Sequence, residues 1–305
     1  MTGPEVVRIT SDPDPDLLAR VGALLDAAVA EDPGPPLNEA AVLALKHPDR
    51  SDADHLVAID ETGPVGYAQL AADGTGQLVV DPRARRRGTG RLLMESLLDA
   101  ARRHGVQLRV WALGDAPAAS ALAARTGLVP TRTLLVMKRP LADLPAPVVP
   151  GGISISTFRV GVDEQAWLTV NARAFAHHPE QGSIDAEDLA ERINESWFDP
   201  SGFFLARASG GTDVLGFHWT KEHGDALGEV YVLGVDPDAQ GRGLAKALLL
   251  TGLAHLRDHG DEVVELYVEA DQPGPVGLYR SYGFTEASRD VMYAGPGTGP
   301  TSTDR

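Results

Sequence analysis

The chain has 305 residues, 43% hydrophobic and 23% charged, with a formal net charge of -16 and no cysteine. At about 100–200 residues per domain this length predicts two domains. The acidic balance argues against nucleic-acid binding, which needs a basic face, and having no cysteine excludes disulfides, thiolate metal sites and cysteine nucleophiles.

Segment 1–16 carries acids and prolines where a signal peptide would have a basic start and an apolar core. No apolar run approaches the roughly 18 residues that span a bilayer, so a cytoplasmic protein is expected. From Val6 to Arg139 the pattern predicts the order β-α-α-β-β-β-α-β-α-β. The stretch 141–152 holds three prolines and two glycines and reads as a linker.

The second half repeats the order. Ile153 to Phe158 alternates like an edge strand, and Asp163–Phe175 and Asp185–Trp197 read as helices with acidic first turns. Gly202–Ala208, Val214–Lys221 and Glu229–Val235 are strand-like. Gly243 to His259 carries Leu244, Leu248, Leu249, Leu253 and Leu256 at helical spacing, and Gly260 ends it. Val263–Glu269 is a strand, Pro275–Tyr282 a short helix stopped by Gly283, and Arg289–Tyr293 closes the second sheet. The tail from Gly295 to Arg305 is rich in Gly, Pro, Thr and Ser and is expected to fray.

The halves are copies. Val80 to Arg91 aligns with Val235 to Lys246 at an offset of 155 residues, with six of twelve positions identical. The same offset pairs His104-Gly105 with His259-Gly260. A period of this size means a duplicated domain. Expected boundaries are 1–141, a linker at 142–152, 153–294 and a tail at 295–305.

In the second half a strand runs through Asp236-Pro237 into Gln240-Gly241-Arg242-Gly243-Leu244-Ala245 and then a helix. Glycines let backbone N–H groups converge, and the helix N-terminus adds partial positive charge, which together suit a pyrophosphate. Arg242 and Lys246 add charge. A strand-to-helix turn with no ligand is the competing reading; recurrence of the loop in both halves favours phosphate. A Rossmann fingerprint does not fit, because the loop follows four strands and its third small residue is misplaced, and a Walker loop lacks its Gly-Lys-Ser/Thr.

This loop after a Val-x-Pro strand end, together with Leu266 to Phe284 ending in Leu-Tyr…Gly-Phe, resembles the coenzyme A elements of the GNAT acetyltransferase superfamily. The resemblance implies two tandem GNAT domains, an α/β class with a mixed sheet, and acetyl transfer from acetyl-CoA to an amine. Fusion of two such domains further resembles a branch that acetylates the cysteinyl amine of a cysteinyl-glucosamine-inositol precursor. It implies coenzyme contacts at Leu233, Gly234 and Val235, along the loop from Gln240 to Lys246, and at Gln272, Pro273, Gly274, Pro275, Val276 and Gly277. In the first half the corresponding positions are Leu78, Val79 and Val80, then Arg86, Arg87, Gly88, Thr89, Gly90 and Arg91. Asp271-Gln272-Pro273 stands where many members carry Asp-Asn.

Thioester aminolysis needs a base for the amine and an acid for the thiolate, with no covalent enzyme intermediate. The GNAT resemblance implies Glu229, at the start of the strand leading to the loop, as the base and Tyr279, on the last helix, as the acid; a solvated strand-end glutamate and a core aromatic are the competing readings. A backbone N–H near Val235 would polarise the carbonyl. At the 155-residue offset Glu229 falls on Gly74, and counting back from Gly127 puts Ala123 where Tyr279 stands, so the first domain is expected to be non-catalytic. The resemblance implies substrate contacts at Glu39, Glu180, Lys221, Glu229 and Tyr267. His177, His178 and His218 lack ligand spacing, and no metal is expected. A monomer is expected, because the copies can pair internally. Other acceptors, such as an aminoglycoside, a polyamine or a protein amine, and a non-catalytic coenzyme A sensor remain alternatives.

Overall fold

The computed structural model describes residues 4–9, 14–32, 34–48, 51–178 and 181–295. The chain forms two compact units, Met1–Leu134 with Ser288–Arg305, and Leu135–Ala287.

The first unit begins with β1 (Glu5–Ile9), α1 (Pro15–Glu31) and α2 (Glu39–Lys46). Both helices start where a short polar side chain covers free N–H groups: Asp14 accepts from the Asp16 N–H at 3.0 Å and Asn38 from the Ala41 N–H at 2.9 Å. Then come β2 (Asp54–Asp60), β3 (Gly63–Leu70), β4 (Thr75–Val80), α3 (Thr89–His104), β5 (Arg109–Ala112), α4 (Pro117–Arg125) and β6 (Val129–Pro140). Leu93, Leu97 and Ala100 of α3 are fully buried, in one cluster with Ala58, Ala68 and Val110 of the sheet.

The second half of the chain repeats the order with β7 (Ile153–Thr157), α5 (Glu164–Ala174), α6 (Ala186–Ile193), β8 (Phe203–Ala208), β9 (Val214–Glu222), β10 (Leu227–Val235), α7 (Leu244–Asp258), β11 (Val263–Glu269), α8 (Pro273–Ser281) and β12 (Thr285–Ala294), of which the second unit holds all but the part of β12 from Ser288 on. Its strands run β6-β11-β10-β9-β8-β7. The leucines of α7 pack on one side of this unit's sheet in two clusters, Leu249, Leu253 and Leu256 with Val264 and Leu266, and Leu244 and Leu248 with Ala206. An aromatic cluster fills another part of the unit. Trp219 stacks on Phe203 at 4.4 Å, and Trp167 meets Phe203, Phe217 and Trp219 edge-on at 5.8, 5.4 and 5.9 Å. Each such pair contributes about 0.5–1.5 kcal/mol beyond its buried area.

The closing strands differ from expectation. Val291–Ala294 of β12 pairs antiparallel with Ala112–Arg109 of β5, in the first unit. Val291 and Tyr293 sit in the cluster of Leu97 and Leu108, and the Tyr293 hydroxyl donates to Asp115 Oδ1 at 2.9 Å. Residues 135–140 of β6 belong to the second unit, where Leu135, Met137 and the following Leu141 join Leu249 and Val264. Thus Arg289–Tyr293 does not close the second half's own sheet. An alternating segment carries its facing pattern but not the identity of its neighbour, and the first unit's apolar cluster takes it. The stretch 142–152 lies within the second unit, where Arg139 donates to the Asp143 carbonyl at 3.0 Å.

Candidate active site

The geometry centres on β10. Against β9 it pairs from Gly228↔Glu222 to Val235↔Gly216, with a bulge that leaves Tyr231 without an opposite residue. Against β11 it pairs in parallel only over Leu227–Glu229 with Val263–Glu265. A bulge bends its strand and increases local twist. Here the parallel ladder ends one residue before the bulged stretch, so the β11-facing backbone of Val230–Val235 is left without ladder partners. Leu233, Gly234 and Val235 lie there. Gly234 has no room for a side chain, since a Cβ would come within 2.8 Å of the Phe217 ring.

Beyond β10 the loop takes the conformation expected of an anion cradle. Gln240 is extended (φ -64°, ψ 163°), while Gly241 and Gly243 are left-handed, with φ 75° and 79°. Gly243 is the N-cap of α7 and provides no capping side chain, so the first-turn N–H groups stay open to a ligand. Gln240, Gly241, Arg242 and Gly243 are exposed, as is Lys246, whose Nζ lies 5.7 Å from the Tyr282 ring centre, while Leu244 is buried and Ala245 half-buried. Gln272 caps α8 without a side-chain bond. Pro273, Gly274, Pro275 and Gly277 of that helix are exposed and Val276 is buried.

Glu229 is 8% exposed at the last rung of the parallel ladder, and its Oε2 accepts the Nε2–H of His223 at 2.6 Å. That bond to the carboxylate, more than the opposing burial, holds the His223 imidazole above its ordinary pKa. Across the sheet Glu229 lies opposite Lys221 of β9 and beside Glu265 of β11, and Glu265 pairs with Lys138 of β6 at 2.8 Å. Two cations and two carboxylates therefore form a row over four strands, with Lys221 and Glu265 also 8% exposed. The Lys221 ammonium sits 4.5 Å from the Trp197 ring and 5.6 Å from the ring of bulge residue Tyr231. Tyr279 of α8 packs in the cluster that holds Val230 of β10 and Leu266 of β11, with its ring 5.6 Å from Phe284. Burial pushes its phenol pKa up, so it keeps its proton at neutral pH.

The structure brings Glu229 and Lys221 together and places Tyr279 over the same strands. Tyr267 is 48% exposed on β11. Glu39 is the exposed first residue of α2, in the first unit, and Glu180 lies outside the described residues. Sequence reasoning missed His223, Trp197, Tyr231, Lys138 and Glu265. His223 carries a weak signal, lying six residues before Glu229 across a hairpin; the others meet only through strand register. His218 is fully buried, its Nδ1–H donating to the Leu248 carbonyl at 2.8 Å, and burial lowers its pKa to about 4, so it is a neutral core residue. His178 Nδ1 accepts the Gln181 N–H at 3.1 Å.

The first unit holds a parallel version of the loop. β4 pairs with β5 only over Thr75–Gly76 with Arg109–Val110, below Leu78, Val79 and Val80. Arg85 (φ -64°, ψ 157°) matches Gln240, Arg86 (φ 64°) takes the left-handed place of Gly241, and Gly88 (φ 94°) caps α3 without a side-chain bond. Arg85 is held by Asp32 through two bonds of 2.7 and 2.6 Å. Arg86, Arg87 and Arg91 are exposed, Thr89 is buried and Gly90 half-buried. Two features of the second unit are missing: β4 has no bulge against β3, and Gly74 and Ala123 carry neither carboxylate nor phenol.

Comparison with known proteins agrees with this geometry. Residues 168–284 match the acetyltransferase (GNAT) family and residues 51–127 an acetyltransferase (GNAT) domain. A mycothiol acetyltransferase of Catenulispora acidiphila is 49% identical, covering 94% of this chain and 97% of the relative. That of Thermomonospora curvata is 50% identical, covering 93% and 95%. A GCN5-related N-acetyltransferase from Sphaerobacter thermophilus superposes with a TM-score of 0.71 at 26% identity, covering 97% of this chain and 98% of that one. A tandem GNAT protein from the clavulanic acid pathway reaches 0.74 at 23% identity, covering 96% and 99%, and supports the fold alone. Two acetyltransferase domains and near-full-length relatives at about half identity establish that the chain belongs to the GNAT acetyltransferase family, alongside the mycothiol acetyltransferases.

Proposed function

We propose that the chain transfers the acetyl group of acetyl-CoA to the cysteinyl amine of desacetylmycothiol, giving mycothiol, and that the second unit does the chemistry. The observation that carries the catalytic half of this reading is the end of the β10–β11 ladder at Glu229, on the strand that leads to an uncapped α7 N-terminus. The relatives' name carries the acceptor.

The Gln240–Lys246 loop holds the pyrophosphate, and the open edge of Leu233–Val235 takes the pantetheine amide and thioester. Glu229 accepts a proton from the amine, directly or through water. The amine nitrogen attacks the thioester carbon, the new C–N bond forms, and the C–S bond breaks. Tyr279 gives its proton to the departing thiolate and is recharged from solvent. The backbone N–H near Val235 stabilises the developing oxyanion. His223 keeps Glu229 oriented, and the Lys221 ammonium adds positive charge next to that carboxylate. Glu39, Glu180, Lys221 and Tyr267 are assigned to the hydroxyl-rich acceptor. The first unit keeps the anion loop without base or acid and serves as a non-catalytic partner that can hold a second acetyl-CoA. The reaction draws on no metal. We assign the protein to the cytoplasm as a monomer; among the described residues no helix is long and apolar enough to cross a membrane.

The test is mass spectrometry of the product from acetyl-CoA and desacetylmycothiol, run beside an aminoglycoside, a polyamine and a peptide amine. A gain of one acetyl group on desacetylmycothiol, at a kcat/KM well above the others, supports the reading. Preference for another amine overturns the acceptor, and no turnover with any amine leaves a coenzyme A sensor.

A further inference from the structure

We propose that Asp199, His255 and His259 form a binding site for a divalent transition-metal cation of the zinc class, at the C-terminal end of α7. His255 and His259 stand four apart, on one face of the helix. Asp199 comes from the turn before β8. One nitrogen of each ring and one carboxylate oxygen lie within 4.8 Å of one another. A tetrahedral cation about 2.1 Å from each needs those atoms roughly 3.4 Å apart. Asp199 and His259 are exposed, so small rotations of their side chains supply the difference.

The surroundings set each ligand. His259 Nδ1 lies 2.9 Å from the His255 carbonyl oxygen, to which it donates; this leaves Nε2 for a cation, the usual outer-shell arrangement of a metal-bound histidine. Asp199 Oδ1 accepts the Ser201 N–H at 2.8 Å and Oδ2 accepts the Ser201 hydroxyl, which orients the carboxylate with Oδ2 3.8 Å from His255 Nε2; a cation there would share Oδ2 with, or displace, the rotatable Ser201 hydroxyl. The two imidazole centres are 3.9 Å apart. Burial, and then the neighbouring His259, hold His255 below its ordinary pKa. Burial pushes the Asp199 carboxyl up, but the Ser201 bonds and the two imidazoles outweigh it and hold the group low. Solvent completes the coordination from the exposed side.

The site stands apart from acetyl transfer. His255 lies eleven positions after Leu244 on α7, roughly 17 Å at helical rise. A cation there would tie the last turn of α7 to the segment that enters β8. The structure assigns it a clamping role.

The experiment titrates zinc chloride into tag-free, chelator-treated protein by calorimetry, with magnesium in excess, for the wild type, His259→Gln and Asp199→Asn. Asparagine keeps the turn cap at 199, and circular dichroism with acetyl-CoA binding checks that each variant is folded. One equivalent of zinc is expected in the wild type, with affinity lower by about tenfold or more in each variant. Wild-type protein that takes up no zinc, or folded variants that bind it as tightly as the wild type, would overturn the site.

Discussion

Placing a carboxylate at each anion loop in turn separates the roles of the two units. Gly243→Glu and Gly88→Glu both force a side chain onto left-handed backbone, with φ 79° and 94°, at about 1–2 kcal/mol each. Neither meets a steric wall, because a Cβ at 88 has nothing within 4 Å and one at 243 meets only Pro150 Cγ at 3.8 Å. Arg86, left-handed at φ 64° in the place of Gly241, shows that this loop accepts such strain. Both variants are therefore expected to fold, with a small drop in Tm. The difference lies in binding. A carboxylate about 5 Å from a phosphate charge costs about 3 kcal/mol at an effective dielectric of 20, and less where water screens an exposed loop. That is on the order of 10–10² in affinity per charge pair. Steady-state acetylation of desacetylmycothiol is the assay. Gly243→Glu is expected to remove nearly all turnover, and Gly88→Glu to leave most of it. The opposite pattern, with both proteins folded, would place the active site in the first unit and refute the reasoning.

Tyr279→Phe keeps the packing against Phe284 and removes the proton donor; kcat is expected to fall by roughly 10²–10⁴ with acetyl-CoA affinity nearly unchanged, and a wild-type kcat would remove Tyr279 from the mechanism. Glu229→Gln is expected to lose most activity at low pH, where the acceptor is an ammonium of pKa about 7.7–8.0, with the deficit closing above about pH 9; a deficit constant across the pH–rate profile would mean a binding role instead. Asp163→Asn tests a structural pair. Asp163, 2% exposed, accepts from the Arg159 side chain at 2.9 and 3.0 Å and from Arg207 at 2.8 Å. The Arg159 bonds hold its carboxyl below the usual range despite burial. Its stabilisation is therefore present above the unfolded carboxyl pKa and lost as pH falls through the lower folded value. Denaturant unfolding at pH 7 is expected to show a loss of about 2–4 kcal/mol that shrinks toward pH 3, and a pH-independent loss would contradict it.

Much of this protein is readable in one dimension. The duplication, the element order in each half and the glycine loop before α7 depend on local conformation, on period and on glycine at left-handed positions, all written in contiguous residues. Glu229 and Tyr279 are candidates that the family resemblance singles out in the sequence. Other parts were not. Which sheet receives Val291–Ala294 depends on which cluster offers an apolar seat, and an alternating strand is compatible with several. The charged row of Lys221, Glu229, Glu265 and Lys138 exists only through cross-strand register. The Tyr231 bulge is an extra residue visible only against its partner strand. Asp199 reaches His255 and His259 through the fold alone. Local sequence fixes what each segment prefers to be; long-range packing selects its neighbours, because burial rewards any apolar face that fits.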